Sequence, residues 1–319
     1  MAIVIRKASR KKAKLRLGIS APSGAGKTLG SLLLAYGIAG DWDKIGIIDT
    51  EEGSGELYVG VSKHGVTIGE YQYIRISSNF SPVNYTNAIH AFERAGVEVI
   101  IIDSLTHAWA GAEGLLEKQA KVADRTKNSY TAWREVTPDH DALVSCILQS
   151  PCHIIATMRS KVEYAMQQGI NGKQQVVKLG MAPIQRAGME YEFTVFFDIG
   201  SDSIATASKD RTDLFSTINA ANKLEKRDFM ITPKIGAEIL GWLNTGAEPP
   251  RPLMELANEM AEDIQNSTDV AKTVAEHQST YDRLQAEDSF LFGELNKLLG
   301  TKHAELNPPV TTTNENEGE

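Results

Sequence analysis

Short apolar runs alternate with stretches of helical period along the first two thirds of the chain, and each run ends in a polar or glycine-rich turn. That alternation predicts βα units and a mostly parallel central sheet flanked by helices, since a strand covered on both sides has no polar face to show. The predicted strands are residues 15–20 (LRLGIS), 44–48 (KIGII), 71–76 (YQYIRI), 97–102 (VEVIII), 152–161 (CHIIATMRSK), 191–200 and 203–211. Between them, helical spacing appears in LGSLLLAYGIAG (29–40), SPVNYTNAIHAFERAG (81–96), SLTHAWAGAEGLL (104–116), a stretch whose start is marked by Thr137-Pro138, and PKIGAEILGWLNTG (233–246). Ser81 takes the cap position of the second of these and Pro82 its first turn. Residues 162–180 read as two extended runs around Ile170-Asn171-Gly172-Lys173, an Asn-Gly hairpin signal.

The pattern changes after residue 246. AEPPRP (247–252) marks a linker, and three helical runs with little glycine follow, so the expected organisation is a core over 14–246 and a small helical appendage over 247–303. Residues 304–319 are expected to form a disordered acidic tail, and residues 1–13 a basic N-terminal arm. Composition is ordinary for a soluble globular chain of 319 residues, at 42% hydrophobic and 23% charged. No apolar run reaches membrane-spanning length and the N-terminus lacks the order of a secretory signal, so no membrane partner is expected. Cys146 and Cys152 show no metal or disulfide spacing and read as buried thiols in a reducing compartment. The net charge of −8 hides an asymmetry. Arg6, Lys7, Arg10, Lys11, Lys12, Lys14 and Arg16 crowd the N-terminus, either to neutralise phosphates or as a solvated face.

The first strand runs into Ala21-Pro22-Ser23-Gly24-Ala25-Gly26-Lys27-Thr28, a phosphate-binding loop with alanine at its first glycine position. A triphosphate needs several N–H groups aimed at one spot, a helix N-terminus behind them, an ammonium on the β/γ oxygens and a hydroxyl for magnesium. Ser23, Gly24, Ala25 and Gly26 form the wrap, Lys27 supplies the charge and Thr28 the hydroxyl. The second strand delivers Asp49, Thr50 and Glu51 to its C-terminal end, where α/β ligand sites lie. Asp103, at the tip of the apolar run VEVIII, is the natural partner for the metal held by Thr28, with a helix-cap role as the alternative. Glu51 is the candidate base for the attacking water, with Glu52, one residue away, as its rival; neighbouring residues at a strand end point oppositely, so only one of the two faces the site. Arg159 and Lys161, at the tip of a later strand, are candidates for a γ-phosphate contact, or else exposed strand-end charges.

These motifs together resemble the RecA-like branch of P-loop ATPases, with APSGAGKT, IIDTE, IIIDS and IIATMRSK occurring in that order. More narrowly the chain is similar to phage-encoded ATPases related to RecA, a group that includes single-strand annealing recombinases; NSYTAWREVTP, HIIATMRSKVEY and EYEFTVFFDIG carry this part. The resemblance covers residues 14–246 and departs from the family at Ala21 and in lacking the large C-terminal domain of bacterial RecA. It implies a RecA-like core, ATP and Mg2+ as cofactors, Glu51 as catalytic glutamate, a homo-oligomer (filament or ring) with ATP at the subunit interface, and a bacterial host cytoplasm. It also implies basic residues completing the site from a neighbouring subunit. Lys209 and Arg211 fit that role because a K-x-R on a strand places both cations on one side, although a surface strand with guarding charges reads the same.

Lys118, Lys121, Arg125, Lys127 and Arg134 interleave with Tyr130 and Trp133, a composition suited to phosphate contacts and base stacking. The alternative is an amphipathic helix whose Trp133 packs inward. The resemblance implies that this stretch and a second loop over 162–189, with Lys173, Lys178 and Arg186, hold single-stranded DNA. The sequence therefore points to an ATP- and Mg2+-dependent ATPase acting on single-stranded DNA as a recombination or annealing factor, with a single-strand binding protein as a further partner. The alternative is an ATP-dependent switch or loader acting on a protein partner. A small-molecule kinase is disfavoured by the lack of an arginine-rich lid segment.

Overall fold

The structure is a computed structural model and describes residues 9–168, 174–218, 224–247 and 253–307. The chain runs β1 (Arg16–Ala21), α1 (Lys27–Ala39), β2 (Ile45–Asp49), β3 (Ser62–Lys63), β4 (Val66–Thr67), β5 (Gln72–Arg75), α2 (Pro82–Ala95) and β6 (Val99–Asp103). It continues through α3 (Thr106–Ala110), α4 (Leu115–Thr126), α5 (Ser129–Gln149), β7 (His153–Gln168), β8 (Gln174–Pro183), β9 (Val195–Ile199) and β10 (Ala205–Asp210). Two short strands, β11 (Ser216–Ile218) and β12 (Leu224–Lys226), pair with each other before β13 (Asp228–Phe229) and α6 (Pro233–Leu243).

Among the described residues a nine-stranded sheet has the order β13-β10-β9-β1-β7-β6-β2-β5, with β8 paired to β7. The six strands from β9 to β5 are mutually parallel, and β10, β13 and β8 join antiparallel. This is the α/β class the alternating pattern predicts.

Strand parity explains why the runs are so largely apolar. Leu17, Ile19, Ile47, Ile101, Ile155 and Phe197 face α1 and α6, whereas Ile48, Ile100, Ile102, Ile154 and Phe196 face α2 and α5. Successive side chains point to opposite faces and both faces are covered, so the runs are mainly apolar, with buried exceptions that include Arg16, Ser20, His153 and Thr157. On the first face α1 and α6 cross closely: a Cβ on Gly37 would stand 1.9 Å from the Pro233 carbonyl oxygen, and one on Gly236 would stand 2.3 Å from that of Leu34.

Several expected boundaries move. The helix expected over 104–116 is two, α3 and α4, because Gly111 and Gly114 fold into a turn in which the Gly111 N–H donates to the His107 carbonyl at 2.8 Å. α5 starts at Ser129 and contains Pro138 rather than beginning there. Its start is set by Asn128, whose side-chain oxygen accepts from Tyr130 N at 2.9 Å and Thr131 N at 3.2 Å. The missing proline donor is tolerated because the buried face of Ala132, Val136, Leu143 and Ile147 carries the helix through. β7 does not end near residue 161. It leaves the main sheet and continues as one arm of the β7–β8 hairpin, with Ser160 opposite Pro183 and Gln168 opposite Gln174. The second segment expected as a DNA-holding loop is thus largely this hairpin; Lys173 and the Asn-Gly turn lie outside the described residues.

The residues divide into two compact units, Lys12–Gly246 and a second formed by the N-terminal residues to Lys11 together with those from Ala247 on. In the second, Lys11 bridges to Ala247, and α7 (Leu253–Asn266), α8 (Val270–Glu276), α9 (Gln278–Glu287) and α10 (Ser289–Leu306) enclose Met260, Ile264, Leu284 and Leu295. α10 runs three residues past the expected end of the appendage at 303. Among the described residues no helix is long and apolar enough to cross a membrane.

Candidate nucleotide site

The strand register brings three strand tips and the middle of a fourth strand to one edge of the sheet: Ala21 of β1 lies opposite Arg159 of β7, and Asp103 of β6 opposite Asp49 of β2. Ser23, Gly24 and Ala25 form the turn from β1 into α1. Gly24 and Gly26 have φ of +79° and +95°, a region that favours glycine. Gly26 is the N-terminal cap of α1 and no side chain caps this helix, so its first N–H groups remain directed into the loop for an anion. Lys27 lies buried along the same loop, with Nζ donating to the carbonyls of Ala21 (3.3 Å) and Pro22 (3.2 Å). Burial holds its pKa below the usual lysine value, opposed by the charges of Asp103 and Glu51.

Thr28 and Asp103 meet as the spacing of the two motifs predicts: Thr28 Oγ1 donates to Asp103 Oδ2 at 2.5 Å. The other carboxylate oxygen accepts from Thr157 Oγ1 on β7, also at 2.5 Å. Asp103 is fully buried, and burial pushes its pKa up despite both hydroxyl donors. A carboxylate and a hydroxyl side by side are hard oxygen donors, and a divalent cation would relieve the desolvated charge, so the pair fits Mg2+. Among the described residues no group of three or more His, Cys, Asp or Glu is placed to hold a metal.

Glu51 and Glu52 part company. Glu51 turns into the site, where it accepts from Ser104 Oγ at 2.8 Å and Arg159 Nε at 2.8 Å, with Arg159 Nη2 on its second oxygen. Burial raises the Glu51 pKa, but the Arg159 and Ser104 hydrogen bonds outweigh it and leave the carboxyl below its ordinary value. Glu52 has φ of +60° and points to exposed Arg75.

Asp49 and Thr50, which the sequence placed at the strand end without a role, and Thr157, which it did not single out, complete the arrangement. Buried Asp49 accepts from Glu51 N at 2.6 Å, Gly55 N at 2.9 Å and Tyr73 Oη at 2.9 Å, bracing the turn that carries Glu51. Thr50 Oγ1 accepts from Ser104 N at 2.8 Å and lies 2.8 Å from His107 Nδ1, tying the β2 turn to the β6 turn. Thr157 sits two residues before Arg159, on the same side of β7, and that period-2 spacing was the available signal for it.

Other expected residues lie elsewhere. Arg159 and Lys161 are inside β7, where it passes from the main sheet into the hairpin, rather than at a strand tip. Arg159 engages Glu51, and Lys161 is exposed. Lys209 and Arg211 stand at the opposite edge of the sheet from the phosphate loop, because β10 runs antiparallel to β9 and places Asp210 beside Val195. A register shift between Ala207 and Lys209 and the end of the strand at Asp210 also break the simple K-x-R alternation. Lys209 Nζ donates to the Tyr191 carbonyl, and Arg211 is exposed.

The basic stretch expected to contact DNA forms α4 and the start of α5, and its cations pair with acids. Lys118 meets Asp139, Lys121 meets Glu113 and Glu117, Arg125 meets Glu135, and Lys127 meets Asp124. Trp133 stacks on Trp109 with centroids 5.7 Å apart, whereas Tyr130 is 83% exposed. Arg186 lies by His140 and Asp141, and Lys178 belongs to β8.

Residues 13–224, more than half of the chain, match the family described as AAA domain. No curated protein matches the chain.

Proposed function

As the chain belongs to the AAA domain family of P-loop ATPases, we propose that it hydrolyses ATP with Mg2+ at the edge formed by β1, β7, β6 and β2. The observation that carries this reading is the placement of Glu51. A carboxylate held below its ordinary pKa stands on the same edge as the Thr28–Asp103 pair, bonded to neither of them and held in place by Ser104 and Arg159. The loop amides and Lys27 bind the triphosphate, and Lys27 exchanges its two carbonyl partners for phosphate oxygens. Thr28 and Asp103 would hold Mg2+, which would supply charge neutralisation for the phosphates when bound. Glu51 accepts the proton of the attacking water. Arg159 masks Glu51 until a γ-phosphate draws the guanidinium away, which leaves the carboxylate with Ser104 alone and free to act. Steady-state phosphate release by wild type and Lys27→Ala tests the assignment; turnover by Lys27→Ala at the wild-type rate sinks it.

The target we propose is single-stranded DNA, with the protein working as a RecA-like homo-oligomer in phage recombination or annealing. What supports this is the sequence resemblance and the continuity of β7, which carries Thr157 and Arg159 at the site and then Lys161 into the hairpin. We therefore take the contact surface to be the β7–β8 hairpin, entered by exposed Lys161, rather than the acid-paired cations of α4 and α5. Titrating labelled single strands at rising salt, with and without ATP, tests it. No binding at low salt in either condition overturns the DNA reading and favours a loader acting on a protein partner.

A further inference from the structure

At the edge of the sheet away from the phosphate loop, where α5 ends and β7 begins, a cavity of about 410 Å³ lies between α2 and α5. Three reactive side chains line it. His90 and Glu93 stand three residues apart on α2, a spacing that puts both on one face, and His90 Nδ1 lies 2.7 Å from Glu93 Oε2. A carboxylate only accepts, so Nδ1 carries the proton and Nε2 keeps a lone pair. Cys146 of α5 stands on that side of the ring, with Sγ 4.0 Å from Nε2. The other Glu93 oxygen accepts from Ser150 Oγ at 2.6 Å, which fixes the carboxylate from behind. The order is nucleophile, base and orienting acid. His90 is exposed and Cys146 is half-buried rather than buried, so the thiol is open to the cavity.

Burial, and then the charge of Glu93, push the Cys146 thiol above its ordinary pKa, opposed in part by a hydrogen bond from Thr86. At rest the thiol is therefore protonated, and it attacks only when a base takes its proton. We propose that Cys146 is a thiol–disulfide exchange site for small-molecule disulfides, with His90 as its general base and Glu93 holding the imidazole in the tautomer this requires. The Sγ–H proton passes to His90 Nε2 as Sγ attacks one sulfur of the small disulfide, whose S–S bond breaks. The departing sulfur takes the proton back from Nε2 and leaves as a thiol. Cys146 is oxidised into a mixed disulfide, the departing sulfur is reduced, and nothing else is consumed. Exchange suits the place better than acyl transfer. Cys146 stands in the last turn of α5, where the Ser150 N–H already donates to the Cys146 carbonyl and the helix end offers carbonyl oxygens, so an acyl oxyanion meets acceptors rather than donors. In the exchange, charge gathers on sulfur and His90 removes it by returning the proton. The carboxylate of Glu93 at the cavity favours a cationic disulfide.

The other cysteine is a built-in control. Cys152 is 5% exposed and its Sγ donates to the Val97 carbonyl at 3.1 Å, so it reacts only if the chain opens. The test treats the full chain with cystamine, a small cationic disulfide, at neutral pH and follows each cysteine by peptide mass spectrometry. Cys146 should form the mixed disulfide at least as fast as free cysteine does, free thiol should reverse it, and Cys152 should stay unmodified. A thiol of raised pKa without a base reacts more slowly than free cysteine, so a Cys146 rate below that of free cysteine overturns the proposal. Modification of Cys152 in the wild-type chain as fast as that of Cys146 overturns it too. His90→Gln removes the base from an exposed position and should slow Cys146 by about tenfold or more. An unchanged rate in that variant makes Cys146 an accessible thiol and nothing further. If the variant exposes Cys152 by unfolding, the wild-type comparison with free cysteine still decides.

Discussion

Acid should loosen the strand pair that holds the phosphate loop beside Arg159, and the responsible group is His153. This residue opens β7, is 6% exposed, and accepts a hydrogen bond from Leu15 N through Nδ1 at 3.0 Å. Burial lowers its pKa from 6.5 to about 3, and the positive charges of Lys14 and Arg16 push in the same direction. Protonating Nδ1 would turn the acceptor into a donor facing another donor, beside the buried Arg16 and within reach of the exposed Lys14. The folded-state pKa is depressed, so the unfolded chain binds the extra proton first. The contribution is complete above about pH 6.5 and is lost as pH falls from there towards about 3. At pH 5 the proton uptake of the unfolded state, at about 1.4 kcal/mol per pH unit, removes about 2 kcal/mol. That is a sizeable share of the roughly 5–15 kcal/mol that folded proteins have in hand. His153→Gln supplies an amide oxygen for Leu15 N and does not titrate. Urea unfolding followed by tryptophan fluorescence, at pH 7.5 and pH 5, should show wild type losing about 2 kcal/mol more than the variant. Equal losses for the two proteins would falsify the account of His153 as a buried neutral acceptor.

Glu51→Gln keeps the shape and the Ser104 contact but cannot take a proton, so turnover should fall by about two to four orders of magnitude while ATP still binds. Glu52→Gln, altering a carboxylate that pairs with exposed Arg75, should leave turnover near wild type; the reverse pattern would exchange the roles of the two neighbours. If Lys209 and Arg211 complete a neighbouring subunit's site, the double alanine variant should bind ATP but lose DNA-stimulated hydrolysis, and mixing it with Glu51→Gln should restore some activity. Demonstrated co-assembly without any rescue removes that role. Gly37→Ala places a methyl group 1.9 Å from the Pro233 carbonyl oxygen and should cost about 1–3 kcal/mol through forced separation of α1 and α6; an unchanged urea midpoint argues against so close a crossing.

The sequence by itself determined the parallel core and the heart of the site, because both rest on local signals. Apolar runs buried on two faces have no polar alternation, and the loop 21–28 turns from β1 into α1 with residues contiguous in the chain, so its glycines, Lys27 and Thr28 sit at fixed spacing. Asp103 was equally readable, as the acid at the tip of a buried strand. The tertiary structure decided whatever depends on neighbours distant in sequence. It paired Glu51 with Arg159 across 108 positions, turned Glu52 out to Arg75, and set Asp49 and Thr157 as braces, none of which a run of residues displays. It also carried β7 past its expected end, because an edge can continue wherever a partner such as β8 satisfies its hydrogen bonds. Lys209 and Arg211 went to the far edge of the sheet because β10 reverses direction. The cations of α4 and α5 gained acidic partners because two helices packed side by side bring together charges that a linear reading counts separately. Local chemistry is written in the order of residues, whereas electrostatic pairing and strand direction depend on where the chain returns.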